Sequence, residues 1–138
     1  MEISLRKEIH PDADFYYRCQ FEIFDAPCLI WSRDRWASAL LRSDVHRIEV
    51  DGAYAGHVIL EGRARGKTYI ADLSLLPEYR GRGIGRRVLK GLKEKPGKLT
   101  AFTRKETLPF FLKQGFVLRR TMKDYFSPGA DRYYVETA

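Results

Sequence analysis

The sequence predicts an α/β domain of three layers, in which helices flank a mixed sheet of about seven strands. Short apolar runs of strand length recur along the chain, and segments with helical periodicity stand between them. Glycine and proline mark most of the junctions. The length of 138 residues suits one domain, and no linker-like stretch or internal repeat divides it. Residues 1–138 are therefore expected to form a single domain with four helices.

The first two elements are predicted from apolar spacing and from end signals. Apolar positions within residues 3–9 indicate a strand, which His10-Pro11-Asp12 ends. Asp12 or Asp14 is expected to cap a helix that runs to about Phe24, where Asp25-Ala26-Pro27 breaks it. Three residues of this helix are expected in the core because their spacing is helical: Tyr17, Phe21 and Phe24.

The remaining elements follow from the same signals. A second helix is expected from near Arg33 to Arg42, with an apolar face made of Trp36, Leu40 and Leu41. The predicted strands are then 47–50, 56–61, 68–75, 99–102, 116–125 and 132–135, with helices at 83–92 and 105–114. Asp51-Gly52 indicates a hairpin turn, Pro96-Gly97 a helix end, and Gly115 the C-terminal cap of the last helix.

Composition limits the classes of function. The chain is 44% hydrophobic and 31% charged, as in folded globular proteins, and no apolar run is long enough to span a membrane. The first residues are too charged for a signal peptide. Cys19 and Cys28 form neither a metal-type pair nor a disulfide framework, so a reduced cytoplasmic setting without a metal is expected. The net charge of +7 favours an anionic partner, either nucleic acid or a small phosphorylated ligand.

The most informative segment is residues 75–87, LLPEYRGRGIGRR. It joins an apolar strand to an amphipathic helix through three glycines and four arginines. Free N–H groups at the start of a helix, with the helix dipole, bind phosphate well. The pattern is neither the dinucleotide fingerprint nor a Walker loop, because Arg86 stands where the first needs glycine and no Gly-Lys-Ser/Thr follows. The alternatives are a tight turn without a ligand, or an RNA-binding segment, which such a single, flanked stretch does not favour.

Three motifs resemble the GNAT superfamily of acyl-CoA-dependent N-acyltransferases. Residues 75–85 follow its strand, x-P-E-Y-R-G-x-G-I-G and helix pattern almost position by position. Residues 110–116, FFLKQGF, resemble the family's aromatic pair followed by Gly-Phe. Residues 125–131, YFSPGAD, are similar to a C-terminal motif of relatives that acetylate protein N-termini. The element order also agrees with a GNAT-like three-layer fold, so the resemblance covers nearly the whole chain.

The resemblance implies acetyl-CoA as cosubstrate, bound between the strands 68–75 and 99–103 with its pyrophosphate on the loop. A backbone amide near Leu73 or Leu75 would polarise the thioester carbonyl. Arg104 stands where relatives place an asparagine, and is expected to bind a phosphate of the coenzyme or to be exposed. The implied coenzyme-binding residues are Leu73, Leu75, Arg80, Gly81, Arg82, Gly83, Ile84, Gly85, Arg86, Arg104 and Phe111.

Acetyl transfer to an amine requires a base and an acid. Asp72 is the first candidate for the base that deprotonates the attacking amine, and it is otherwise a structural carboxylate or an amine contact. Three other candidates are each more simply explained as solvated strand residues: Glu49, His57 and Glu61. Phe111 replaces the tyrosine that protonates the leaving thiolate in many members. Tyr125 is a substitute acid, unless the thiolate leaves unprotonated.

The acceptor is expected to be a primary amine on a small molecule or on a peptide. Tyr125 and Phe126 resemble an aromatic pair that holds peptide N-termini, although the residues favour ordinary packing across a hairpin. The leading hypothesis is an N-acetyltransferase, monomeric or homodimeric, without a nucleic-acid or membrane partner. The alternatives are a GNAT-fold acyl-CoA sensor without efficient catalysis, which the absent tyrosine favours, and a basic nucleic-acid-binding module.

Overall fold

The structure is a computed structural model that describes residues 1–25 and 27–138, without the side chain of Cys28. The described strands are β1 (Ile3–Lys7), β2 (Asp44–Val50), β3 (Ala53–Gly62), β4 (Lys67–Leu75), β5 (Lys98–Arg104), β6 (Phe116–Ser127) and β7 (Ala130–Thr137). The described α-helices are α1 (Ala13–Ile23), α2 (Arg33–Arg42), α3 (Ile84–Lys93) and α4 (Leu108–Lys113). The strands form one sheet in the order β1-β2-β3-β4-β5-β7-β6, mixed because β4 and β5 are parallel. The predicted α/β class and order of elements are confirmed.

The chain divides into two compact units. The first contains Met1–Glu61 and Asp72–Gly85, and the second contains Gly62–Ala71 and Arg86–Ala138. The expectation of a single domain over residues 1–138 stays a prediction. In the described part of the chain, no helix has both the length and the apolar character needed to cross a membrane.

The first unit is built on the antiparallel strands β1, β2 and β3. Asp51 and Gly52 both have positive φ, 50° and 84°, as the predicted hairpin turn requires. Asp12 caps helix α1, and its carboxylate accepts the N–H of Asp14 at 3.0 Å. Ser32 caps α2 in the same way, through the N–H of Arg35 at 3.1 Å. The predicted helix break at residues 25–27 includes Ala26, which lies outside the described residues.

The predicted buried face of α1 is wrong by one position, and that of α2 is right at Trp36 and Leu40 but wrong at Leu41. On α1 the buried residues are Tyr16, Gln20 and Ile23, while Phe21 is 56% exposed. Gln20 is buried because its amide group bonds both the N–H and the carbonyl of Trp31, each at 2.8 Å. Because Gln20 is polar, hydrophobic periodicity alone does not identify this buried face of α1. On α2 the buried face is Trp36, Ala39 and Leu40, and Leu41 is 90% exposed.

The second unit contains the parallel pairing of β4 with β5 over Lys67–Ile70, and the antiparallel strands β5, β7 and β6. Helix α4 is shorter than the predicted 105–114 because Pro109 lacks an N–H and is tolerated only in the first turn. The helix therefore begins at Leu108. Gly115 follows its end with φ of 90°, which confirms the predicted cap.

Candidate active site

The glycine loop connects β4 to α3 with two residues in the left-handed region. After Leu75, the short 3₁₀ turn Pro77–Tyr79 leads to Gly81 at φ 74° and Gly83 at φ 78°, and α3 begins at Ile84. Glycine is favoured at both positions, because other residues are strained at such angles. The first N–H groups of α3 have no acceptor within the helix. The loop therefore presents backbone donors at the positive end of a helix.

The charged side chains of this loop fit an anion. Residues 80–87 contain four arginines and no acidic residue. Arg82, Arg86 and Arg87 are exposed. Guanidinium groups and backbone N–H groups are the donor set that binds phosphate in proteins. The chemistry of these residues thus matches a pyrophosphate, as the sequence predicts.

Arg80 binds the protein itself. Its guanidinium donates to the carbonyl of Ile23 at 2.5 Å and to that of Leu75 at 3.1 Å, and its N–H donates to the carbonyl of Pro77 at 3.2 Å. These bonds attach the loop to the end of α1 and to the end of β4. A coenzyme contact by Arg80 stays a prediction, and the backbone donors that remain belong to residues after it.

Asp72 is held by two hydrogen bonds from neighbouring side chains. His57 Nε2 lies 2.8 Å from Asp72 Oδ2, and Ser74 Oγ donates to Asp72 Oδ1 at 2.6 Å. The side chain of Asp72 is 11% exposed. Since each carboxylate oxygen accepts two hydrogen bonds, both oxygens retain a lone pair for a further donor. Asp72 is therefore an oriented carboxylate that can still accept a proton.

His57 is completely buried, so its prediction as a solvated strand residue is wrong. Its Nδ1 lies 2.8 Å from the hydroxyl of Tyr54. With its ring proton on Nε2, His57 donates to Asp72, and Nδ1 accepts from the Tyr54 hydroxyl. Burial raises the pKa of Tyr54, which keeps its phenol protonated as that donor.

Three aromatic rings enclose His57. Tyr16 and Trp36 meet it edge to face, with centroids 5.0 and 5.9 Å away, and Tyr54 stacks at 6.4 Å. Beyond Tyr54 lies the free thiol of Cys19, whose pKa burial raises. The prediction that Cys19 and Cys28 form no disulfide framework also concerns Cys28, whose side chain lies outside the described atoms. The network joins the helices α1 and α2 to the strands β3 and β4.

Gly56 allows β3 and β4 to approach closely at this point. A Cβ on Gly56 would lie 2.0 Å from the carbonyl oxygen of Ser74 and 2.9 Å from the Cα of Leu75. The N–H of Leu76 also donates to the carbonyl of Ala55 at 2.8 Å. Close packing of the two backbones positions His57, beside Gly56, against Asp72.

The other two predicted alternatives to Asp72 are engaged elsewhere. Glu49 pairs with Arg6 and Arg47, at 3.5 and 3.9 Å. Glu61 accepts from Ser43 at 3.3 Å and pairs with Arg42 at 3.4 Å. Neither contacts Asp72 or His57 through these bonds, and a catalytic role for either stays a prediction.

Residues 42–118, more than half of the chain, match the family of the Acetyltransferase (GNAT) domain. The chain belongs to the GNAT acetyltransferase family. It is therefore an acetyltransferase, and the predicted family and enzyme class are confirmed. No curated protein matches the sequence.

Solved structures resemble this GNAT acetyltransferase over nearly its whole length. The ribosomal-protein-S18-alanine N-acetyltransferase from Escherichia coli has a TM-score of 0.80 at 17% identity, covering 99% of this chain and 93% of its own. Naa50 from Arabidopsis thaliana, in complex with the bisubstrate analogue CoA-Ac-MVNAL, has 0.76 at 19% identity, covering 100% and 99%. A GNAT family acetyltransferase from Elizabethkingia anophelis with acetyl-CoA bound has 0.75 at 16% identity, covering 98% and 97%. At these identities the likeness shows the fold.

Four predicted site residues of the GNAT acetyltransferase lie in the second unit, whereas Asp72, Leu73, Leu75 and residues 80–85 lie in the first. Arg86 continues α3, and Arg104, at the end of β5, pairs with Glu106 at 3.6 Å. Phe111 is buried against Phe116 at 5.2 Å. Tyr125 is 53% exposed and stacks under Arg132 at 4.6 Å.

Proposed function

We propose that this protein transfers an acetyl group from acetyl-CoA to a primary amine on a small molecule or a peptide. The observation that carries the proposal is that one strand, β4, supplies both parts of the chemistry. It holds the oriented carboxylate of Asp72, and it ends in the glycine loop with its anion-binding donors. Acetyl-CoA supplies an acetyl group activated as a thioester.

The loop binds the pyrophosphate through the N–H groups of residues 81–85 and through Arg82 and Arg86. Positive φ at Gly81 and Gly83 supports this role, because it turns successive amides towards one side of the loop. The backbone of Leu73 and Leu75 binds the pantetheine arm and orients the thioester. A coenzyme role for Phe111 and Arg104, which belong to the second unit, stays a prediction.

Asp72 accepts the proton that the amine must lose before it attacks. His57 and Ser74 hold its two oxygens, so the carboxylate meets the amine in one orientation. A fixed orientation supports direct attack, since positioning supplies much of the rate in such reactions. The acidic character of the first unit, with nine Lys and Arg against thirteen Asp and Glu, also favours a cationic acceptor.

Tyr125 donates a proton to the leaving thiolate. Phe111 has no proton to give, and the phenol of Tyr125 is accessible on the hairpin between β6 and β7. The acyl-CoA sensor is the second candidate function, and the same lack of a hydroxyl at Phe111 favours it. The sensor would bind acetyl-CoA without releasing CoA to any amine.

The donor site is tested with the pair Gly81→Asp and Gly81→Asn. Both side chains tolerate the left-handed region, and a Cβ at Gly81 meets no atom within 4 Å, so the variants differ mainly in charge. Calorimetry with acetyl-CoA should show affinity at least about tenfold lower for the aspartate variant. Gly129→Asp is the control, because Gly129 also has positive φ and open space. Equal affinities for the Gly81 pair would contradict the loop site.

Catalysis is tested by CoA release with a panel of amines and peptides. Asp72→Asn should lower kcat by about a hundredfold or more, which is the usual contribution of a positioned base. Its affinity for acetyl-CoA should stay near that of the wild type. Tight binding of acetyl-CoA with no release for any acceptor would favour the sensor instead.

A further inference from the structure

The second unit carries a row of aromatic rings on one face of its sheet. Phe102 on β5 lies opposite Tyr134 on β7, with ring centroids 5.0 Å apart. Tyr69 on β4 meets Phe102 edge to face at 5.8 Å. All three rings are partly exposed. Neighbouring strands of the sheet thus present a continuous aromatic row, Tyr69–Phe102–Tyr134.

Arginine side chains stack on this row. The guanidinium of Arg132 lies 3.8 Å from the centroid of Phe102 and 4.6 Å from that of Tyr125. Arg120 lies 5.8 Å from Tyr134. Within residues 1–25 and 27–138, no ion pair joins Arg120 or Arg132 to a carboxylate. A stacked guanidinium keeps its edge N–H donors, so both arginines can still bind an anion.

The charge of the second unit exceeds what a coenzyme requires. It contains 16 Lys and Arg against 5 Asp and Glu, a net charge of +11, whereas the first unit has a net charge of −4. Without Arg86 and Arg87, which follow the glycine loop, and Arg104, a predicted phosphate contact, the second unit still has a net charge of +8. Such an excess attracts polyanions.

The acidic residues near the row do not cancel this charge. Glu136 pairs with Lys67, Lys98 and Arg119, at 2.9, 4.0 and 3.6 Å. Three cations around one carboxylate leave a local excess of positive charge. Asp131 is engaged with Lys123 at 3.5 Å and with the N–H of Asp124 at 2.9 Å.

We propose that the aromatic row with Arg120 and Arg132, termed here the arginine–aromatic face, binds single-stranded nucleic acid. Phosphates would meet the edges of the stacked guanidiniums, and unpaired bases would stack on exposed ring and guanidinium surfaces. An acidic protein would use the charge but gain little from the rings, and a duplex keeps its bases out of reach. Residues 80–83, which the sequence does not favour as an RNA-binding segment, lie outside this face.

The test is fluorescence anisotropy with labelled twelve-nucleotide RNA and DNA oligomers at several salt concentrations. The wild type should bind saturably, with affinity falling as salt rises. Arg120→Gln/Arg132→Gln should weaken binding at least about tenfold and reduce the salt slope by about 1.4, or about 0.7 per lost phosphate contact. Arg120→Lys/Arg132→Lys keeps the charge but loses the planar stack, and should fall between the two.

Lys90→Gln/Lys113→Gln is the matched control, because it removes two exposed charges of the same unit that lie on helices α3 and α4 and not on the strands of the face. It should retain most of the affinity for the oligomers. All three double variants should unfold like the wild type and bind acetyl-CoA with unchanged affinity. Equal losses in the glutamine variants of both pairs would overturn the face as the binding surface. No saturable binding at low salt, or tighter binding of a polyglutamate peptide than of either oligomer, would overturn the nucleic acid as its occupant.

Discussion

Replacing His57 by asparagine or by glutamine separates the two hydrogen bonds of its ring. The glutamine amide lies near the position of Nε2, which faces Asp72, and the asparagine amide lies near Nδ1, which faces Tyr54. His57→Gln therefore keeps a donor for Asp72, whereas His57→Asn keeps only the contact with Tyr54. Comparing the two variants shows whether the hydrogen bond from His57 to Asp72 contributes to the reaction or only to the stability of the fold.

Both variants should lose similar stability. Each removes one bond of 2.8 Å from a side chain with no exposed surface, and leaves one partner of His57 unsatisfied. That change costs about 1–3 kcal/mol, against a native stability of about 5–15 kcal/mol for a typical domain. The variants therefore stay folded, and their free energies of unfolding can be compared with that of the wild type.

Their activities should differ. Without the donor at Nε2, Asp72 loses one of the two bonds that fix its orientation, so His57→Asn should lower kcat by about 10–100-fold. His57→Gln should stay within a few fold of the wild type, and the affinity for acetyl-CoA should be unchanged in both. The loss lies in kcat because Asp72 acts during proton removal and not during coenzyme binding.

The assay is CoA release at saturating acetyl-CoA with the best acceptor found, together with denaturant unfolding of each variant. His10→Gln, at an exposed position after β1, is the control and should change neither quantity. Equal kcat values for two His57 variants of equal stability would refute the positioning role and leave His57 with a structural role alone.

Gly56→Ala should destabilise the protein by about 1–3 kcal/mol, because its Cβ would lie 2.0 Å from the carbonyl oxygen of Ser74. Gly62→Ala on the same strand is the control, because its Cβ meets no atom within 4 Å. Equal unfolding free energies for the two variants would contradict this. A hydrogen bond from a neighbouring lysine lowers the pKa of Glu136, so Glu136 stabilises the fold above its unfolded pKa of about 4.3 and stops doing so as pH falls through its folded value. Glu136→Gln should therefore be less stable than the wild type at pH 7 and equally stable in strong acid. A difference in unfolding free energy that does not change with pH would contradict this. Tyr125→Phe should lower kcat about tenfold or more without changing acetyl-CoA affinity, and unchanged kcat would remove Tyr125 from the acid role.

Elements with strong local signals are predictable from the sequence. Helix α2 has the predicted bounds, Arg33–Arg42, because Ser32 caps it and a hydrophobic periodicity continues through it. The hairpin at Asp51-Gly52 and the left-handed glycines of the loop depend on backbone angles that few residues adopt. Local errors arise where a polar residue enters the core, as Gln20 does, or where a proline limits a helix, as Pro109 does.

The glycine loop, the strand before it and the helix after it are therefore local properties, determined by chain stiffness and by residues a few positions apart. The environment of His57 is not local. Its hydrogen bonds join residues on β3 and β4, and Tyr16 and Trp36 from α1 and α2 surround its ring. The arginine–aromatic face likewise exists only because pairing aligns β4, β5, β7 and β6. Contacts between distant segments depend on strand register and burial, which the folded chain alone establishes.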